Sequence, residues 1–273
     1  MTDTSESRFE FGENWQRFAS MVTEERITEA VDSLMASLEV DNLQGLKFLD
    51  VGCGSGLFSL AARKLGAVVT SFDLDQQSVL CTEALKNKYF KDDPNWTITQ
   101  GSVLDTTYLQ RLEQYEIVYS WGVLHHTGQL WKALSNLEVL ALKPEGVIFL
   151  AIYNDQKGAS NCWRIIKKAY VDSPKWLQHL ILSVCYVRLW GATTVRDILK
   201  GKPLHTWRNY KSNRGMSPHH DVVDWVGGYP FEVASPEEIF EFFHAKGYEL
   251  TKLKTCGGGH GCNEFVFKGK TQN

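Results

Sequence analysis

From residue 45 to residue 153 the chain alternates short apolar runs with amphipathic stretches. "LKFLDV" is an apolar run that carries Asp50 near its end and leads into "GCGSG". "LFSLAARKLG" then puts Phe58, Ala61 and Leu65 on one stripe, a helical spacing, and stops at Gly66. "AVVTSFDLD" reads as a strand ending in acids, "NWTITQG" and "YEIVYSW" as two more, and "GQLWKALSNLEVLAL" as a helix with Leu130, Leu134 and Leu137 on one side. "EGVIFLAIY" is apolar throughout, as a strand covered on both faces must be. This rhythm predicts an α/β fold, a parallel sheet with crossover helices on both sides.

The flanks extend the pattern. "VTEERITEAVDSLMASLE" predicts a helix capped by Thr23, with Ile27, Ala30, Leu34 and Leu38 on one face. Near the other end, "SPEEIFEFFHAKG" has Ser235 as N-cap, Pro236 at N1, Glu238 as the capping-box partner and Gly247 as the stop. "YELTKLKT" and "NEFVFKG" follow, and the tight turn "CGGGHG" between them requires an antiparallel pair. Almost eighty residues, 154–230, lie between the strand ending near Tyr153 and that helix, far more than a strand-to-helix loop. Two amphipathic stretches inside predict a helical insertion, read as a lid.

Charge changes the picture only locally. The whole chain of 273 residues carries −3, which gives no overall attraction to nucleic acid or anionic membrane. Residues 154–230, however, hold twelve Lys/Arg against five Asp/Glu. That excess is either a solvated helix face or a cover for an anionic substrate. Six scattered cysteines, one of them inside the glycine motif, argue against a disulfide framework. The polar N-terminus lacks the apolar stretch of a signal peptide, and the apolar run Trp176 to Trp190 falls short of a membrane span. The expected location is the cytoplasm.

"FLDVGCGSG" places Gly52, Gly54 and Gly56 between a strand and a helix, where glycine allows a tight turn and close approach of the backbone to a ligand. The dinucleotide fingerprint requires its third glycine at position 57, which is Leu57, so a nicotinamide enzyme is the weaker reading. Asp73 closes the next strand, where a carboxylate can accept both hydroxyls of a ribose.

The run "LKFLDVGCGSGLFSLAARKLGAVVTSFDLD" resembles the class I S-adenosylmethionine-dependent methyltransferases, nearest to the ubiquinone-biosynthesis O-methyltransferases. "QGSVLD", "EIVYSWGVLHH", "LKPEGVIFLAIY" and "SPEEIFEFFHAKGYEL" continue the likeness, which covers roughly residues 45–153 and 232–268. It implies a Rossmann-like fold, a mostly parallel seven-stranded sheet with an antiparallel C-terminal strand; the helical insertion lies outside the family's general pattern. With the residue pattern, the expected division is cap helices over 1–44, a cofactor-binding core over 45–153, a lid over 154–230, and a closing helix and strand pair over 231–273. S-adenosylmethionine is the implied cofactor and S-adenosylhomocysteine its product. Gly52, Cys53, Gly54 and Gly56 would form the loop under the methionine part, oriented by Asp50. Asp73 would hold the ribose and Leu74 would pack on adenine. Ser102, where the family more often has an acid, and Val103 would meet the adenine edge. The main chain at Ser120 and Trp121 would face the methionine part, and Arg26, with Trp15 as a cover, its carboxylate.

On the acceptor side the candidates are His125, His126 and Tyr153 for catalysis. Asn154, Arg214, His220, Asp221, Trp225 and Tyr229 join His125 as candidates for substrate binding. In the family an acid often stands at the place of His125 and a histidine at that of His126. His125 is therefore expected to face the acceptor and His126 to be architectural. Cys256, His260 and Cys262 offer soft ligands, but their spacing fits no common zinc pattern, and no metal is expected. The expected reaction is methyl transfer to a hydroxyl oxygen of a polar or anionic small molecule, such as a sugar, sugar nucleotide or biosynthetic intermediate, by a monomer or homodimer. The alternatives are an RNA methyltransferase, a quinone or lipid O-methyltransferase, and a cofactor-binding protein without turnover. Against RNA stand the negative charge and the lack of a separate RNA-binding module.

Overall fold

The structure is a computed structural model that describes residues 22–214 and 218–270. Its sheet has seven strands: β1 (Lys47–Val51), β2 (Val68–Asp73), β3 (Trp96–Gln100), β4 (Ile117–Trp121), β5 (Val147–Tyr153), β6 (Tyr248–Lys254) and β7 (Cys262–Gly269). Their order is β3-β2-β1-β4-β5-β7-β6. The first five pair in parallel, and β7 is antiparallel to both β5 and β6, so β7 alone runs against the rest. The mostly parallel seven-stranded sheet with an antiparallel C-terminal strand is thus as the sequence predicts.

Helices α1 (Glu24–Leu38), α2 (Leu57–Lys64), α3 (Gln76–Tyr89), α4 (Thr106–Leu109), α5 (Leu130–Leu140), α6 (Gly158–Asp172), α7 (Lys175–Leu199), α8 (His205–Arg214), α9 (Pro218–Gly227) and α10 (Pro236–His244) complete the described chain. The period-2 alternation of each strand divides the core into two layers. Leu49, Val118, Ile148, Leu150, Ile152, Phe265 and Phe267 pack with Leu134 and Leu137 of α5 and Ile239 and Phe243 of α10. Phe48, Val69, Tyr119, Phe149 and Val266 pack on the other face with Ile27 and Leu34 of α1 and Leu60 of α2. Burial of each such side chain contributes roughly 1.5–3 kcal/mol. Two predicted caps form: Thr23 accepts from Arg26 N at 3.4 Å, and Ser235 with Glu238 makes a complete capping box.

The described residues divide into two compact units. One runs up to Gln156 and resumes at Glu232; it contains the sheet. The other is Lys157–Phe231, built of α6 to α9, four helices where the periodicity shows two amphipathic stretches. Inside the helical unit, Lys167 of α6 is wholly buried. Its Nζ donates to the carbonyl of Trp225 and lies 4.2 Å from the centroid of that indole and 4.7 Å from the Phe231 ring. Burial pushes its pKa down to about 7, opposed by Cys185 and Asp224. Carbonyl and aromatic faces stabilise the ammonium without replacing its hydration.

The folded-state pKa of Lys167 lies below its ordinary value of 10.5, so the unfolded chain binds the extra proton between about pH 7 and 10.5. Stability contributed by this group therefore rises as pH climbs through that window. Lys167→Met should flatten the rise in the urea midpoint and, at pH 7 or below, leave the midpoint equal to or above that of the wild type. A variant that keeps the wild-type pH slope contradicts this account.

Candidate functional site

The carboxyl ends of β1 to β5 share one edge of the sheet, where open α/β sheets bind ligands. After Val51 the chain turns through Gly52, Gly54 and Gly56, at φ of 78°, 54° and 77°. Two of these positions also exclude a side chain. A Cβ at Gly52 would stand 2.4 Å from Cγ1 of Val123, and one at Gly56 would stand 2.7 Å from Cγ2 of Thr82. Thr82 donates toward Cys53 Sγ and the Gly54 carbonyl, both at 3.3 Å, so α3 clamps the loop from below. Cys53 is buried, and burial pushes its thiol well up.

Asp73 joins the loop to the end of β2. Its Oδ2 accepts the N–H of Gly54 at 3.0 Å and its Oδ1 that of Asp75 at 2.9 Å. Burial raises its pKa, while these two N–H donors pull the other way. A carboxylate has about four acceptor positions, and the backbone N–H groups around Asp73 do not exhaust them. Leu74, the next residue, is 47% exposed, an apolar shelf beside the acid. Across β3, Ser102 is half-buried with its Oγ accepting Leu104 N at 3.1 Å, and Val103 is buried.

Asp50 lies under the loop and bonds to the helix that follows it. Its Oδ2 accepts Ser59 Oγ at 2.5 Å, Ser59 meets Ser71 at 2.7 Å, and Trp96 Nε1 donates to Ser71 at 3.0 Å. Burial lifts the Asp50 carboxyl to about 7, with Ser59 lowering it and Asp73 raising it further. Ser120 is buried and donates to the Val51 carbonyl at 3.0 Å, tying β4 to β1 at the mouth of the loop. Trp121 is largely exposed, and its Nε1 donates to Glu264 Oε1 at 3.3 Å.

The two histidines form a single 3₁₀ turn, Leu124–His126. His125, expected to face the acceptor, is fully buried. Its Nδ1 accepts the N–H of Tyr153 at 3.2 Å and its carbonyl accepts Glu232 N at 2.9 Å. That bond leaves the proton of a neutral imidazole on Nε2. Its ring lies against Tyr153, with centroids 3.8 Å apart. His126, expected to be architectural, is half-buried, and its ring meets Tyr153 edge-on at 5.4 Å. The reason is geometric: one 3₁₀ turn sends neighbouring side chains in different directions, and the strand end claims the first.

Asn154 follows β5, with its N–H on the Gly261 carbonyl and its Oδ1 accepting Asn263 Nδ2, both at 3.0 Å. Glu232, which no sequence pattern singled out, accepts Leu130 N with both carboxylate oxygens at 3.1 and 3.0 Å and so caps α5. Asn263, also missed, donates to Asn154 and accepts Cys256 N at 3.0 Å. Arg26 sits half-buried in the first turn of α1, and Trp15 lies outside the described residues.

The remaining substrate candidates belong to the helical unit. Asp221 accepts from the Tyr210 hydroxyl, Trp225 packs on Lys167, and Tyr229 has the Lys168 ammonium 5.2 Å from its ring centroid. Arg214 closes α8, and His220 lies in α9. Among the described residues no group of three or more His, Cys, Asp or Glu could hold a metal ion.

Residues 49–148 match the family model described as a methyltransferase domain. The chain is 29% identical over 119 residues to a ubiquinone biosynthesis O-methyltransferase of Haemophilus ducreyi, covering 42% of this chain and 49% of that one. It is 33% identical over 110 residues to a ribosomal protein L11 methyltransferase of Helicobacter hepaticus, covering 40% of this chain and 32% of the other. The chain thus spans about half or less of the length of these curated relatives. Among solved structures, the magnesium protoporphyrin IX methyltransferase of Synechocystis with bound S-adenosylhomocysteine superposes with a TM-score of 0.53 at 17% identity, over 91% of this chain and 89% of that one. That likeness establishes a common fold. The glycine loop and strands β2 to β4 fall within the stretch, residues 49–148, that is similar to the methyltransferase-domain model, β1 and β5 overlap its ends, and the strand order is that of the whole sheet around it.

Proposed function

We propose that this chain transfers a methyl group from S-adenosylmethionine to a small molecule, at a hydroxyl oxygen. The observation that carries the reading is Asp73, held by Gly54 N–H at the end of β2 with acceptor positions to spare and the exposed Leu74 beside it. Those residues suit a ribose and an adenine. The loop Gly52 to Gly56 would lie under the methionine part, where a side chain at Gly52 or Gly56 would collide with Val123 or Thr82. When bound, the sulfonium supplies a methyl carbon already activated for in-line displacement.

The chain's own contribution is then placement and proton handling. His125 fixes the end of β5 by holding the Tyr153 N–H. His126 and Tyr153, half-buried at the same rim, are the groups proposed to meet the acceptor and draw off its proton. Asn154 is proposed to orient it. A quinone or other lipid-phase acceptor is a second reading, favoured by the ubiquinone pathway named for the relative from Haemophilus ducreyi.

Two measurements test the proposal. By isothermal titration, Asp73→Asn should weaken S-adenosylhomocysteine binding by roughly 10–100-fold, the loss expected for hydrogen bonds to a charged group; unchanged affinity contradicts the ribose assignment. The two histidines should separate. His126→Gln should lower turnover by roughly 10²–10⁴-fold with S-adenosylhomocysteine affinity retained. His125→Ala should instead destabilise the fold by about 1–3 kcal/mol by leaving the Tyr153 N–H without its acceptor. The reverse pattern contradicts the assignment.

A further inference from the structure

Helix α7 buries one side and leaves a long apolar arc on the other. Trp176, Leu180, Val184, Val187, Val195 and Ile198 are each more than half exposed. They recur at intervals of three and four, with Gly191 completing the row, and so form one stripe. At 25 residues the helix is about 37 Å long. A continuous apolar surface of that extent marks an interaction site. No helix among the described residues is long and apolar enough to cross a membrane, so the arc is not a span.

The charges around the arc select the partner. Lys175 lies at one end, Lys200 and Lys202 just beyond the other, and Arg188 along it, all exposed. The helix's one acid, Asp197, is buried away from this face, accepting the N–H of Thr206 at 2.7 Å and its hydroxyl at 2.9 Å. Lys157–Phe231 holds twelve Lys/Arg against four Asp/Glu, whereas the rest of the chain holds seventeen against twenty-eight. A second copy laid on the same face would bring two strongly positive units together. An anionic bilayer surface complements both features, with acyl chains for the arc and headgroups for the long basic side chains that flank it.

We propose that α7 docks the protein on anionic lipid bilayers, lying in the interface with the Trp176–Ile198 arc inserted. The proposal is independent of the methyl-transfer reading, because its readout involves neither cofactor nor turnover.

The experiment is co-sedimentation of the full chain with vesicles of phosphatidylcholine alone or mixed with phosphatidylglycerol, at low and high salt. Binding to the mixed vesicles, weakened by salt and weaker on phosphatidylcholine alone, is expected. Leu180→Asp/Val187→Asp, both on exposed positions, should reduce partitioning by roughly tenfold or more with the circular dichroism spectrum unchanged. Lys200→Glu/Lys202→Glu should diminish the preference for phosphatidylglycerol while leaving the apolar face intact. Absence of wild-type binding, or full binding by both variants, overturns the proposal. So does a concentration-dependent dimer that the aspartate pair dissociates, which would assign the arc to a second copy.

Discussion

The hydrogen bond from Gly54 N–H to Asp73 sets the geometry of the sheet's functional edge. It fastens the loop leaving β1 to the end of β2, and the neighbouring contacts depend on the loop staying there. Gly52 and Cys53 donate to the Phe72 carbonyl, at 2.8 and 3.1 Å, on the same line. Val123, just past β4, sits where a Cβ on Gly52 would be, and Thr82 of α3 sits where one on Gly56 would be. Side chains from the segment after β4 and from α3 therefore fill the space the glycines vacate. The loop is held by packing as much as by its own conformational freedom.

Beneath it, the chain of Trp96, Ser71, Ser59 and Asp50 joins β3, β2, α2 and β1 through buried polar groups. Such a network specifies one arrangement, because each member left without its neighbour would be a desolvated polar atom. The methyltransferase-domain match begins at residue 49, one residue before Asp50. At the far side of the edge, the return from the helical unit supplies Glu232 and Ala234, which bond to Leu130 N and to the Tyr153 carbonyl. The rim around His126 and Tyr153 thus draws on segments about a hundred residues apart.

Much of this was legible in the sequence. Apolar periodicity located the strands, Ser235 and Glu238 announced their capping box, and the glycines and Asp73 stand where the motif predicts. What the sequence hid was direction and distance. Whether His125 or His126 turns inward is decided by the Tyr153 N–H, 28 residues away in β5, and no local spacing encodes that. Glu232 looks like any loop acid until it reaches the N-terminus of α5. Lys167 follows helical periodicity onto a buried face, but only the packing of Trp225 and Phe231 shows an ammonium there. The basic excess of the insertion was visible from composition. The apolar arc that accompanies it on α7 required knowing which face is covered.

The central claim is that Asp73 and the glycine loop form a nucleoside site. A crystal structure of the protein with S-adenosylhomocysteine tests it most directly. The account predicts both ribose hydroxyls within hydrogen-bond distance of the Asp73 carboxylate, adenine against Leu74, and the homocysteine part over Gly52 to Gly56. A ligand bound elsewhere, or a ribose out of reach of Asp73, would contradict it.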